Sequence, residues 1–188
     1  MKMKQKKIRV TGGFLKNRIL HSVTKINVRP TRNFVKQVLF NWLQNYIKNS
    51  ICLDCFAGSG NLSIESVSRS AESVTALEKN YILVKKLKKT IKVFLINNIS
   101  VFRVNTLIWL KKYSKPFDII YLDPPFNNKK LLNLSIKYLE KYNWTHNNSI
   151  IYVEHIDDNI FYPDNWKLMK KKNIGTVSLS LFYKSIII

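Results

Sequence analysis

From residue 50 onward, short apolar runs alternate with longer stretches in which apolar residues recur every three or four positions. The short runs, at 51–56, 73–78, 101–104, 117–122 and 149–154, read as buried strands. Between them the helical period predicts helices over 62–69, 81–96, 106–113 and 129–142. Repeated β-α units imply a parallel sheet covered by helices on both faces, with right-handed crossovers. The end breaks this rhythm: 166–171 and 176–183, joined around Asn173 and Gly175, predict an antiparallel hairpin added to the sheet. Upstream, Val35, Val38, Leu39, Trp42, Leu43, Tyr46 and Ile47 form one apolar face of a helix running to about Lys48. Arg29-Pro30-Thr31 marks its start, because Pro30 disfavours helix just before it and Thr31 is a good N-cap. Residues 8–29 are short β-like runs around Gly12-Gly13, a small hairpin or ribbon with Lys16, Arg18 and Lys25 exposed. The expected fold class is therefore α/β, a doubly wound sheet with an N-terminal β-ribbon. Residues 1–30 form the basic ribbon and 31–188 the main domain.

A chain of 188 residues is about one domain and can bury a full core without staples. No run of 18 consecutive apolar residues exists, so no membrane-spanning helix is expected. Residues 1–7 are basic with no apolar stretch behind them, unlike a secretory signal. Cys52 and Cys55 have C-x-x-C spacing, but they fall inside an apparent buried strand and no second cysteine pair exists. They read as inert core thiols, and a cytoplasmic location fits. The formal charge of +21 changes the picture more. Of 32 basic residues 26 are Lys, and an A/T-rich coding bias toward Lys, Asn and Ile inflates such a count. Distribution separates bias from function: residues 1–53 carry twelve Lys or Arg and no Asp or Glu. That asymmetry points to a polyanionic partner, nucleic acid first.

Three segments carry candidate chemistry. Ile119 to Leu122 is a short buried run that breaks off at Asp123-Pro124-Pro125-Phe126. The prolines lack N–H donors and cannot continue the ladder, so Asp123 is held at the carboxyl end of a strand, where open α/β sheets bind ligands. The bland reading is a Pro-terminated surface turn. The second segment is the strand that enters Asp54-Cys55-Phe56-Ala57-Gly58-Ser59-Gly60 and then a helix. Its glycines let a ligand approach the backbone, and the helix offers free N–H groups. The third glycine of a dinucleotide fingerprint is missing, and pyrophosphate sits badly beside Asp54. A phosphate-free ligand with cationic groups fits better, against the alternative of a turn that binds nothing. Third, Glu78 ends the next strand, 24 residues beyond Asp54, where a carboxylate can accept both ribose hydroxyls. Asn105 ends the strand after that and suits an adenine edge, a helix N-cap, or both.

Asp-Pro-Pro-Phe at a strand end resembles the catalytic loop of amino-group methyltransferases that use S-adenosylmethionine. Together with Asp54 to Gly60 and Glu78 it follows the order and spacing of the class I methyltransferases. Arg29-Pro-Thr, Leu39-Phe-Asn-Trp-Leu43, Ile151-Tyr-Val-Glu154 and Asn165-Trp166 narrow the resemblance. The chain is similar, from about Ile8 to Lys184, to the bacterial small-subunit (16S) ribosomal RNA guanine-N2 methyltransferase D family. The resemblance implies a seven-stranded Rossmann-like sheet, an N-terminal ribbon used on RNA, and S-adenosylmethionine as methyl donor. It implies donor contacts at Asp54, Phe56, Ala57, Gly58, Ser59, Gly60, Glu78 and Asn105, and catalysis at Asp123, Pro124, Pro125 and Phe126. Two departures stand out: many relatives carry an acidic residue where Asn105 stands, and often a glycine where Asn17 stands. Asn tolerates a left-handed backbone, so the turn is expected to survive.

The expected substrate is 16S ribosomal RNA, alone or in the small subunit, and the expected state is a monomer with no membrane and no metal partner. Arg9, Lys16, Arg18, Arg29 and Arg32 are the candidate phosphate contacts. Adenine-N6 or cytosine-N4 of DNA or RNA is the rival substrate, since these amines are also planar. The 188 residues leave no room for a separate target-recognition domain, which argues against DNA. A non-enzymatic RNA-binding assembly factor is the rival of a different class. His21, His146 and His155 are scattered and suggest no catalytic or metal cluster, and Asp157-Asp158 alone makes a poor cation site.

Overall fold

The computed structural model describes residues 8–20, 31–112, 115–125, 128–156 and 159–186; the side chains of 31 and 32 lie outside this description. Two short strands, β1 (Ile8–Arg9) and β2 (Ile19–Leu20), pair antiparallel, and helix α1 (Thr31–Trp42) follows. Then come β3 (Ile51–Asp54), α2 (Asn61–Ser68), β4 (Ser73–Glu78), α3 (Tyr81–Val93), β5 (Ile99–Arg103) and α4 (Thr106–Trp109). The chain ends with β6 (Phe117–Leu122), α5 (Lys129–Lys141), β7 (Thr145–His155), β8 (Trp166–Ile174) and β9 (Val177–Lys184). The seven-stranded sheet runs β5-β4-β3-β6-β7-β9-β8. Its first five strands are parallel; β9 lies antiparallel between β7 and β8, as the broken rhythm predicted.

Alternation along each strand divides the core in two. Cys52, Ala76, Ile119, Tyr121, Ile150 and Tyr152 face one cluster, with Leu39, Phe40, Ile64, Val67 and Leu87 from α1, α2 and α3. Leu53, Leu77, Ile120, Leu122, Ile151 and Val153 face the other, with Leu132, Ile136 and Leu139 from α5. There Trp109 stacks on Trp144 with ring centroids 4.2 Å apart. The thiols of Cys52 and Cys55 are free and wholly buried, and burial pushes the Cys52 thiol up to about 12. Such thiols are inert.

The hairpin does not stand apart. Ile8, Val10, Leu15 and Leu20 belong to the first core cluster. Phe14 N–H donates to the Ser68 carbonyl at 2.9 Å, and Leu15 N–H to Ser68 Oγ at 3.0 Å. Gly13 has φ 74°, and a Cβ there would collide with the Ser68 backbone, so only glycine allows this approach. Asn17 also takes a left-handed backbone, at φ 71°, as the turn requires.

A buried ion network locks the same contact. Glu65, on α2, is fully buried between Lys36 (2.9 Å) and Arg69 (2.9 Å), and it accepts from Thr11 N–H (2.8 Å) and Thr11 Oγ1 (2.7 Å). Burial alone would push its carboxyl up. The Lys36 charge and the bonds from Thr11 outweigh that and hold it below its usual range. Lys36 Nζ also donates to the Arg9 carbonyl at 2.6 Å and to Asn61 Oδ1 at 2.8 Å.

Glu140 plays a similar part at the other end. It accepts from Asn165 Nδ2, Trp166 Nε1 and Thr145 Oγ1, each at 2.9 Å, and pairs with Lys184 at 3.1 Å. Asn165-Trp166 thus ties β8 to α5. On β8, Lys167, Lys170, Lys171 and Lys172 are exposed, and the pairing slips by one residue between Leu168 and Lys170.

Several bounds differ from expectation. Helix α1 gives way to turns after Trp42, although Leu43 and Ile47 are buried as the period requires. The bonds Ile47 N–H to Leu43 and Tyr46 N–H to Leu43 tighten the chain there. Helix α4 is four residues long, and β7 starts at Thr145. Among the described residues no helix is long and apolar enough to cross a membrane, and no three His, Cys, Asp or Glu cluster to suit a metal ion. Lys25, His21, Asp157 and Asp158 lie outside the described residues.

Candidate functional site

The order of the parallel strands sets the site. Successive strands step from β3 toward β5 on one side, and then from β6 toward β7 on the other. The crevice between β3 and β6 is the switch point where such sheets bind ligands at their carboxyl ends. Register puts Asp54 opposite Tyr121 on β6 and Ala76 on β4, so Asp54, Glu78 and Asp123 leave the sheet at one end.

A cleft of about 410 Å³ opens there. Asp54, Phe56, Ala57, Gly58, Ser59, Glu78, Asn105, Asp123, Pro124 and Pro125 all line it. Gly60 does not; it has φ 81° and lies against Leu87, where a Cβ would collide, so it shapes the loop from behind. Phe126 lies outside the described residues. A larger open groove lies along α5 beside Phe161 and Pro163, lined by Lys129, Lys130 and Lys137 and by none of Asp54, Glu78 and Asp123. The sheet-end cleft holds the converging polar groups, which outweighs size.

The loop is built by its own backbone. Cys55 N–H donates to Tyr121 (3.1 Å), Ala57 N–H to Leu77 (2.9 Å), and Gly60 N–H to Ala57 (2.7 Å). Gly58 N–H donates to Glu78 Oε2 at 2.9 Å, and Asn80 N–H to Glu78 Oε1 at 2.7 Å. The Glu78 carboxylate therefore braces the glycine loop against the start of α3. Asn80 caps α3 through Ile82 N–H and Leu83 N–H. Asn105 caps α4: its Oδ1 accepts from Leu107 N–H at 2.9 Å. The N-cap reading of Asn105 is therefore correct, and the same residue still lines the cleft.

Asp54 is 2% exposed and accepts from Ser63 Oγ at 2.6 Å. Burial raises its carboxyl to about 7, and the nearby charge of Asp123 adds to the rise, while the bond from Ser63 opposes it. The cleft thus holds a carboxyl that gains from an arriving cation. Asp54, Glu78, Asp123 and Glu154 line it, against Lys36 and Lys79, and Lys36 is already paired with Glu65. That set suits a ligand bearing a sulfonium and an ammonium, and it disfavours a pyrophosphate.

Arg9, Lys16 and Arg18 are exposed on the hairpin, and the Arg18 guanidinium lies over the Phe94 ring at 5.5 Å. Arg29 and the side chain of Arg32 lie outside the described residues. Phe14, at the tip between these cations, is 69% exposed. Sequence reasoning missed Phe14, and also Lys36, Asn61 and Glu154 of the cleft wall. Phe14 carried a usable signal, an aromatic beside a double-glycine turn in a basic segment. Lys36 carried none, since it looked like one lysine among many.

The family model described as conserved hypothetical protein 95 matches residues 8–183. The chain is 45% identical over 181 residues to ribosomal RNA small subunit methyltransferase D of Buchnera aphidicola subsp. Acyrthosiphon pisum, spanning 95% of this chain and 94% of that one. It is 35% identical over 179 residues to the protein of the same name from Escherichia coli K12, spanning 94% and 90%. Among solved structures, an Escherichia coli methyltransferase superposes with TM-score 0.87 at 33% identity, covering 97% of this chain and all 100% of the other. A Haemophilus influenzae methylase gives TM-score 0.84 at 36% identity, covering 96% and 100%.

Proposed function

Because the chain belongs to the ribosomal RNA small subunit methyltransferase D family, we propose that it methylates the exocyclic N2 amine of a guanine in 16S ribosomal RNA, on an assembled or assembling small subunit. The methyl donor is S-adenosylmethionine. The observation that carries the reading is that Asp123-Pro124-Pro125 opens into the same cleft as Asp54, Gly58 and Glu78.

Asp54, Phe56, Ala57, Gly58, Ser59, Glu78 and Asn105 hold the donor, with Gly60 behind them. Asp54 faces its cationic end, and Glu78, fixed by two backbone N–H groups, keeps lone pairs for ribose hydroxyls. The bound donor supplies an electrophilic methyl on sulfur. Guanine N2 is a poor nucleophile, because its lone pair is delocalised into the ring. Asp123 accepts one N–H of that amine and the Pro124 carbonyl accepts the other, which turns the lone pair toward the methyl. As the nitrogen–carbon bond forms and the sulfur–carbon bond breaks, both acceptors stabilise the positive charge growing on nitrogen. The nitrogen then loses its proton to Asp123 or water. Pro125 stiffens the loop and Phe126 stacks on the base, a contact worth about 1–3 kcal/mol. The base leaves its stack to enter the cleft unless it already lies in an open loop.

The hairpin within residues 1–30 is the proposed RNA arm, with Arg9, Lys16, Arg18, Arg29 and Arg32 on phosphates. Prediction: RNA affinity falls steeply with salt, and each of Arg9→Ala or Arg18→Ala lowers the log–log salt slope by about 0.7–0.9. A slope that neither substitution changes rules the arm out.

Two further predictions concern the donor. Glu78→Ala should weaken donor binding by roughly tenfold, about the worth of one charged hydrogen bond. Unchanged affinity in calorimetry removes the ribose contact. Binding should also release protons. With its folded value raised to about 7, Asp54 is partly protonated near neutrality, and a donor cation favours the charged form. Affinity should therefore rise with pH through about 7 and level off above it. Calorimetry in buffers of different ionisation enthalpy reads the proton, and an uptake instead of a release would contradict the assignment.

The whole reading is tested by incubating the protein with labelled donor and, separately, small-subunit particles, naked 16S RNA and DNA. Digestion to nucleosides identifies the modified base. N2-methylguanosine from RNA is expected; methyladenine or methylcytosine, from RNA or DNA, would establish the rival substrates.

A further inference from the structure

We infer that Glu154 selects guanine, its carboxylate accepting the ring N1–H while Asp123 and the Pro124 carbonyl take the N2 amine. The inference rests on the guanine reading above. Glu154 lines the cleft with Asp123, Pro124 and Pro125, and it is only 9% exposed. Strand β7 lies parallel to β6 with Val153 opposite Leu122, so Asp123, the first residue past β6, and Glu154 on β7 are each one step beyond that pair. Neighbouring strands lie about 4.8 Å apart, which sets two carboxylates within reach of adjacent donors on one base edge. The Tyr152 hydroxyl donates to Glu154 Oε2 at 2.9 Å, and Tyr152 is itself wholly buried, so the carboxylate is anchored from inside the core.

The chemistry of the bases makes this position decisive. Beside its amine guanine carries an N–H donor, at N1. Adenine and cytosine carry a lone pair beside theirs. A fixed carboxylate attracts the first and repels the other two. The Asp-Pro-Pro-Phe loop grips any planar amine, so discrimination must come from a group beside it, and Glu154 occupies that place.

The test compares wild type with Glu154→Gln on small-subunit particles whose RNA carries either guanine or 2-aminopurine at the nucleotide that wild type methylates. 2-Aminopurine keeps the N2 amine but presents a lone pair at N1. Wild type should prefer guanine by roughly a hundredfold or more in kcat/KM, and Glu154→Gln, whose amide can turn an N–H toward that lone pair, should narrow the gap to about tenfold. A variant that keeps the full wild-type preference overturns the inference. If Glu154→Gln methylates neither base, its binding of the two particles is compared instead of its turnover, and an undiminished preference for guanine overturns the inference as well. Wild type that methylates no guanine in any RNA strikes the proposed function instead.

Discussion

Asp123→Ala should lower methyl transfer by roughly 10³-fold, with donor affinity nearly unchanged. The size follows from what the carboxylate does in the proposed mechanism. It orients an amine whose lone pair otherwise stays in the ring, and it faces the charge that appears only as the new bond forms. An interaction made chiefly in the transition state costs kcat rather than binding when it is lost. The surroundings strengthen it, because Leu122 and Tyr121 behind Asp123 are wholly buried and put a low-dielectric core against one side of the site. Asp123→Asn keeps the shape and one acceptor oxygen, so it should fall between the two. The substitution has a second signature. Asp123 contributes to the raised value of Asp54, so its removal should shift the donor-linked proton release to lower pH. Single-turnover rates with labelled donor and calorimetry on the same variant check both parts. Full turnover by Asp123→Ala would refute the acceptor role.

Glu65→Ala should destabilise the fold by about 3–5 kcal/mol, because it strands a buried cation. Lys36 is 1% exposed and Glu65 0%, so neither charge has water to fall back on. The variant would also leave Thr11 N–H and Arg69 without the carboxylate they share. For a domain of this size the loss corresponds to roughly 10 °C in Tm. Lys36→Met should cost less, since Glu65 keeps Arg69 and Thr11. Acid should imitate the substitution. A carboxyl held below its unfolded value stabilises the fold at pH above that unfolded value, about 4.3, and the contribution disappears as pH falls through the lower folded value. Wild type should therefore lose stability below about pH 4.5 more steeply than Glu65→Ala. Parallel acid profiles of the two proteins in thermal melts would show that Glu65 is not the linked group.

Much of this was legible in the chain. The βα alternation from residue 50 gave the sheet, because buried parallel strands are apolar runs and their covering helices are amphipathic. Asp54, Glu78 and Asp123 were legible as the last polar residues of such runs, and a strand's end is where its residues can serve a ligand. The end of α1 was not, since Leu43 and Ile47 stay on the buried face whether the backbone is α-helical or turns more tightly. Glu65 was hidden for another reason. It lies in a helix in which every residue from Leu62 to Ser68 is buried, and its partners Thr11 and Lys36 are 54 and 29 positions away. No local period reports a contact of that kind. Glu154 was quoted as part of a family pattern, yet only the register of β6 and β7 brings it beside Asp123.

The lysines of β8 have a use unrelated to any polyanion. They lie on the outermost strand, whose free backbone groups would otherwise template another sheet. Four ammonium groups and a kinked register make that border a poor match for any incoming β-segment. A chain rich in isoleucine and phenylalanine is thereby protected from stacking edge to edge into fibrils.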